Sequence, residues 1–252
     1  MKKYELTKET KTFTDGTVLH RIRALRDIPR HGVKAGDLGG LIEKENNLSQ
    51  DGDAWIFNDA EVSGNACVFG NAIVYDNARI YGYACVSGDA KIFGNACVSD
   101  DAWIFDDAWI FGNACVYGDA RIFGNACVYG DARIFGDACI FDDACVSGDA
   151  KVYGNAKVSG DAKISGNACV LGDARVSGND DYIVFKNTWS SGRYFTYTHS
   201  NRMWVVGCFH GTGKELIAKA YKDSELSGKC YEAIVRAVET IEAAKAEAKE
   251  TK

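Results

Sequence analysis

Residues 111–141 read FGNACVYGDARIFGNACVYGDARIFGDACIF. Six positions recur: Ala, a variable residue, Val or Ile, an aromatic residue or Ser, and two corner positions rich in Gly, Asn and Asp. Traced outward, the Ala-x-[Ile/Val] anchor runs from Ala54-Trp55-Ile56 to Ala174-Arg175-Val176, giving 21 copies without a slip. Leu48-Ser49-Gln50 falls six residues before the first copy and reads as a degenerate one in register.

Each position has a physical role. Alternation of Ala, x, Val/Ile and aromatic is the two-residue period of a strand. The x position holds Arg79, Lys91, Arg121, Arg133 and Lys151, charged side chains that cannot all be buried. Ala and Val/Ile therefore face inward, and x and the aromatic face outward. The first corner residue is Gly in sixteen copies and Asn58, Asp76, Asp100, Asp106 or Asp142 in the rest. These residue types tolerate positive φ, so a left-handed corner is expected every six residues. Short strands, fixed corners and one apolar face make a parallel β-solenoid, in which identical coils need identical fillers.

The repeat resembles the hexapeptide repeat of left-handed β-helix proteins. That resemblance implies an all-β solenoid, a left-handed parallel β-helix with three hexapeptides per triangular coil. The 21 copies then make about seven coils, roughly 33 Å of stacked strands. The near-identity at a period of twelve residues, as in residues 111–122 and 123–134, reads as recent duplication rather than coil length. Two flanking segments, Leu19 to Phe57 and Gly192 to Leu216, are similar to a narrower group of bacterial and prophage proteins labelled acetyltransferases.

Three segments follow: an N-terminal β cap (1–50), the repeat helix (51–179) and a C-terminal α+β domain (180–252). In the cap, Thr12–Phe13 and Val18 to Leu25 are strand-like around an Asp15-Gly16 turn, and Gly36, Gly39 and Gly40 are expected to bend the chain into the first coil. After Asn179, strands are predicted at Tyr182–Phe185, Tyr194–Thr198 and Met203–Phe209. Helices are predicted at Gly213 to Lys222 and Gly228 to Lys249. Cys230, Ile234, Val238 and Ile241 form the apolar stripe of the second helix. Each flank is expected to cover one end of the apolar column.

Charge is unevenly spread: net +3 in residues 1–50, −10 in 51–179 and +1 in 180–252. A nucleic-acid binder would carry the reverse in its main body, so no nucleic-acid partner is expected. The charged start and the lack of a long apolar run point to a cytoplasmic chain without a membrane partner. Eight of the ten cysteines share the x position and none forms a CxxC, so they read as reduced surface thiols and not as metal ligands.

The resemblance implies, as an alternative, a coenzyme A-dependent acyltransferase. In such enzymes a protruding loop interrupts the coil and a histidine acts as the general base. The four histidines here, His20, His31, His199 and His210, all lie outside residues 54–176, and no insertion breaks the register. His199 and His210 are the remaining catalytic candidates, because base catalysis needs a group titrating near neutrality. Gly211 to Glu215, GTGKE, fails the phosphate-loop pattern because Cys208 and Glu215 replace the required Gly and hydroxyl residue; it reads as the start of a helix.

With coils of 18 residues, the outward positions sort into three faces. The first is the most apolar, and its candidate interface is Trp55, Phe57, Tyr75, Phe93, Trp109, Phe111 and Tyr129. Stacked aromatics stabilise a sheet by covering one another, while a flat apolar patch marks an interface. The sequence therefore reads as a non-catalytic homo-oligomer, trimer or dimer, acting as a binding scaffold. The prophage resemblance makes a host protein the possible partner. Acidic corners that mimic nucleic-acid phosphates and glycan stacking on the aromatics are further readings.

Overall fold

The computed structural model describes residues 2–250. The chain divides between Asp181 and Tyr182 into two units, and the first 50 residues belong with the repeats.

The repeat is a parallel β-solenoid. Twenty-one short strands, β4 to β24 in chain order from Trp55–Ile56 to Arg175–Val176, each centre on the x-Ile/Val pair. Every strand from β4 to β21 pairs in parallel with the one 18 residues later, as Trp55 with Ile73 and Ile73 with Lys91. Three sheets result, one per side. The inward Ala and Ile/Val of every copy are buried, which makes a continuous apolar column. Each fully buried Ile or Val contributes about 1.5–3 kcal/mol relative to exposure, so this column is the main stabilising term of the unit.

Corners carry the geometry. Twenty of the 21 first-corner residues have positive φ, including Asn58, Asp76, Asp100, Asp106 and Asp142 at φ 52–61°. Gly178 is the exception, and there the chain leaves the coil for a short 3-10 turn at Asn179–Asp181. Glycine is favoured for a second reason. A β-carbon on Gly88 would lie 2.6 Å from the amide nitrogen and 2.8 Å from the carbonyl of Asp106, one coil on. Where aspartate takes the corner, its carboxylate accepts from the backbone N–H one coil on: Asp76 from Gly94 at 3.2 Å, Asp100 from Gly118 at 3.1 Å and Asp142 from Gly160 at 3.1 Å. That charge-assisted bond offsets part of the roughly 1–2 kcal/mol left-handed penalty. The second corner position builds amide ladders. Asn77 donates to Asn95, Asn95 to Asn113 at 3.1 Å, and Asn113 to Asp131 at 3.0 Å.

The N-terminal segment adds a partial eighth coil. Strands β1 (Tyr4–Thr12) and β2 (Val18–Ala24) form an antiparallel hairpin, and β3 (Leu38–Ile42) joins β2 to the solenoid by pairing with Glu61–Val62. Leu48 bridges Val68 and not Ala66, so it takes the Ile/Val place. The degenerate copy exists, but two extra residues before Ala54 shift its register. Gly36 bends the chain at φ 97°, whereas Gly39 and Gly40 lie inside β3. They are small for packing: β-carbons there would lie 2.6 Å from the carbonyls of Ile56 and Ala60 respectively.

The second unit holds a four-stranded antiparallel sheet: β25 (Tyr182–Lys186), β26 (Tyr194–Thr198), β27 (Met203–Val206) and β28 (Phe209–Gly211). The single strand expected over Met203–Phe209 is two, because Gly207 turns at φ 58° and Phe209 pairs back on Val206. Helix α1 (Gly213–Asp223) opens at GTGKE. Thr212 caps it, with the Glu215 carboxylate accepting from the Thr212 N–H at 2.8 Å. Helix α2 (Glu225–Glu250) starts three residues earlier than expected, because Gly228 lies within it, where Tyr221 leaves no room for a side chain. Its buried stripe is Val235 and Val238 with Ile234 and Tyr231 beside them, packed on Phe195, Trp204 and Leu216. Ile241, expected in that stripe, is exposed.

The corner rule yields a paired test. Gly166 has φ 63° but open space around its Cα, so Gly166→Ala should cost about 1 kcal/mol in urea unfolding. Gly88→Ala adds the clash with Asp106 and should cost at least about twice that. Equal losses would mean that φ alone selects glycine here.

Candidate functional site

The three predicted faces are the three sheets. The first consists of Trp55–Ile56, Ile73–Val74, Lys91–Ile92, Trp109–Ile110, Cys127–Val128, Cys145–Val146 and Lys163–Ile164. Beside its strands stands a ladder of parallel rings. Tyr75, Phe93, Phe111 and Tyr129 stack with centroids 4.8–4.9 Å apart and planes within 7°. The spacing is that of the coils, so the backbone sets it. The other two sheets carry shorter ladders: Tyr117–Phe135–Tyr153, and Phe105–Phe123–Phe141.

Stacking changes what these rings offer. Ring faces inside a ladder are spent on one another, and the rings are half-buried. Sugar stacking needs a free ring face, so the ladders are poor glycan platforms. Trp109 stands apart from the ladder, 42% exposed and edge-on to Phe93 at 6.2 Å. The Lys91 ammonium sits 4.4 Å from its ring centroid. Trp55, expected in the interface, is fully buried: Tyr4 packs edge-to-face on it at 6.4 Å, and the Lys3 ammonium donates to the Ala54 carbonyl at 2.8 Å. Nothing in the repeat pattern reveals this cover, because it comes from another part of the chain. Phe57 is half-buried. The accessible apolar strip therefore begins at Ile73 and Tyr75 and runs to Tyr129.

A cavity of about 270 Å³ lies where the β1–β2 hairpin meets the second sheet, lined by Lys11, Arg21, Arg79, Glu9, Asp59 and Glu61 among others. Lys11 pairs with the nearly buried Glu61, and Arg79 lies 3.6 Å from its other oxygen. Arg21 binds Glu9 at 2.6 Å, Asp59 at 3.2 Å and the carbonyls of Gly39 and Asn58. Three cations meet three carboxylates, so the cluster reads as a latch that holds the hairpin on the first coils. Arg30, paired with Asp89, and His31, 3.1 Å from the Asn71 carbonyl, extend that hold to a corner.

The two catalytic candidates take different surroundings. His199, just after β26, has a side chain only 14% exposed, and its Nδ1 pairs with the Glu242 carboxylate of α2. Its Nε2 is buried without a hydrogen-bond partner. His210 is exposed on β28 opposite Val205, with β27 between it and β26. A carboxylate on Nδ1 is the arrangement that orients a histidine base, but the enclosed Nε2 has no path to a substrate. Among the described residues, no three His, Cys, Asp or Glu side chains converge to hold a metal ion. No helix there is long and apolar enough to cross a membrane.

All ten cysteines are free thiols. Burial raises Cys67 to about 12, helped by its hydrogen bond with Cys85, and raises Cys127 to about 11. Burial also raises Cys115, Cys139 and Cys169. A thiol kept protonated in the fold adds stability below its unfolded value near 8.5. Above that value the unfolded chain sheds the proton first, and the contribution is lost as pH climbs toward the folded value. Buried Lys3, lowered to about 8 mainly by desolvation, works in the opposite direction between about 8 and 10.5. Five thiols outweigh one amine. The urea midpoint under reducing agent should therefore fall between pH 8 and pH 10, and fall less steeply in Cys127→Ser. A midpoint that holds steady would contradict the burial of these thiols.

No family model and no curated protein matches this chain.

Proposed function

We propose that the protein is a non-catalytic β-solenoid scaffold that assembles with copies of itself through the face of the first sheet and binds a partner protein with its other faces. One observation carries this reading. From Ile73 to Tyr129 that face is flat and apolar, its only charge being Lys91, which lies over Trp109. Depletion of charge at the centre with aromatic enrichment is the composition of interface cores. The other sheets carry Arg79, Arg133 and Lys151, or Arg121, Lys157 and Arg175, outward, which suits a solvated or partner-facing surface. The resemblance to hexapeptide-repeat and prophage proteins supports a trimer or dimer in the cytoplasm and a host protein as partner. The acidic corners favour a basic surface on that partner, whose binding should weaken in 0.5 M salt.

The test is mass in solution by light scattering. The wild-type chain should elute as a dimer or trimer, and Ile73→Glu with Trp109→Glu as a monomer with an unchanged circular dichroism spectrum. A wild-type monomer at high micromolar concentration would sink the proposal. The second reading, a coenzyme A-dependent acyltransferase, is favoured by one observation, the Glu242 carboxylate on His199. Calorimetric titration with millimolar acetyl-coenzyme A decides it. Saturable heat that disappears in His199→Ala would support an enzyme, and absence of heat would remove it.

A further inference from the structure

Six of the eight repeat cysteines stand in register on adjacent coils, as Cys67 with Cys85, Cys97 with Cys115 and Cys127 with Cys145. Adjacent parallel strands lie about 4.8 Å apart, inside the roughly 4.4–6.8 Å Cα range that a disulfide spans. Every pair therefore has a permissive backbone, and side-chain direction decides among them. The Cys97 thiol turns to the Tyr81 hydroxyl at 3.4 Å, and the Cys115 thiol turns to the Asn113 carbonyl at 3.6 Å. That pair is splayed. Cys67 and Cys85 point at each other, with sulfurs 2.7 Å apart, well inside van der Waals contact. Closing to the roughly 2.05 Å of a disulfide needs less than about 1 Å of movement.

We propose that Cys67 and Cys85 form an oxidisable pair, cross-linked by small-molecule disulfides of the glutathione class. One thiolate attacks the oxidised tripeptide, giving a protein mixed disulfide and one reduced thiol. The second cysteine then attacks the mixed disulfide, expels the other tripeptide thiol and closes the intramolecular bond. Two electrons and two protons leave the pair in all, and two thiols are released. The link spans 18 residues, one complete coil, at the end where Leu48 bridges Val68 and the partial N-terminal coil rests. Solenoids lose coils from their ends, so a clasp here ties the terminal strand of the third sheet to the next coil. Because Cys67 is held protonated by burial, the reaction is slow at neutral pH and speeds up as pH rises.

The whole reduced protein is equilibrated in glutathione buffers of stepped potential at pH 8, quenched with N-ethylmaleimide, digested and mapped by mass spectrometry. The expected result is a Cys67–Cys85 linked peptide that saturates while Cys97 and Cys115 are still alkylated. Thermal unfolding of the oxidised chain should shift upward by about 5 °C, and this shift should vanish in Cys85→Ser and persist in Cys115→Ser. Mixed disulfides without the link, or a Cys97–Cys115 link that forms in step with it, would overturn the proposal. The mapping uses the unaltered chain, so misfolding of a variant cannot mask the outcome.

Discussion

Every sixth residue of the solenoid must turn through a left-handed backbone conformation while the next coil's backbone passes within contact distance of its β-carbon position. The rest of the unit depends on meeting that demand. Glycine meets it by having no side chain, and aspartate by giving its carboxylate to the N–H one coil on. Once corners are fixed at this interval, the coil closes after 18 residues and each strand finds its partner without a loop. Inward positions then face one column of uniform width, which is why only Ala, Ile and Val occupy them. The constraint is local and is repeated in 20 corners, so small contributions add along the stack.

Such a scaffold has consequences for function. Its coils carry no histidine and no protruding loop, so base chemistry must lie at an end or in the separate C-terminal unit. On the faces, fixed coil spacing converts the aromatic positions before the corners into stacked ladders whose faces cover one another. The ladders are first a stabilising device. What they present outward is ring edge, and the residues free to bury against a partner are those beside them, Ile73 and Trp109 on the first sheet. Ladder strength and interface strength therefore come from different side chains on the same strip.

Much of this was legible in the sequence. The inward or outward direction of each position and all five non-glycine left-handed corners follow from the six-residue repeat, and the assignment of outward residues to three sheets follows once the resemblance supplies an 18-residue coil. What escaped lies where the repeat ends. Leu48 matches the register by counting but not in space, since the two extra residues before Ala54 bulge out without breaking any inward position. Gly39 and Gly40 look like bend residues in sequence, yet they serve contact across coils, which no local pattern records. The burial of Trp55 depends on Tyr4, fifty-one residues away, and the pairing of His199 with Glu242 depends on helix α2 packing on the sheet.

The cysteines show the same division between pattern and contact. Their recurrence at one position says that they face outward, and their spacing of 18 residues says which of them share a sheet edge to edge. Neither says where a sulfur points. That direction follows the outward neighbour: the Cys97 thiol turns to the Tyr81 hydroxyl, whereas the Cys67 sulfur meets Cys85. A single aromatic choice beside a corner thus separates a thiol turned to a hydroxyl from one poised against its neighbour. In a repeat this uniform, individuality arises from such pairwise departures.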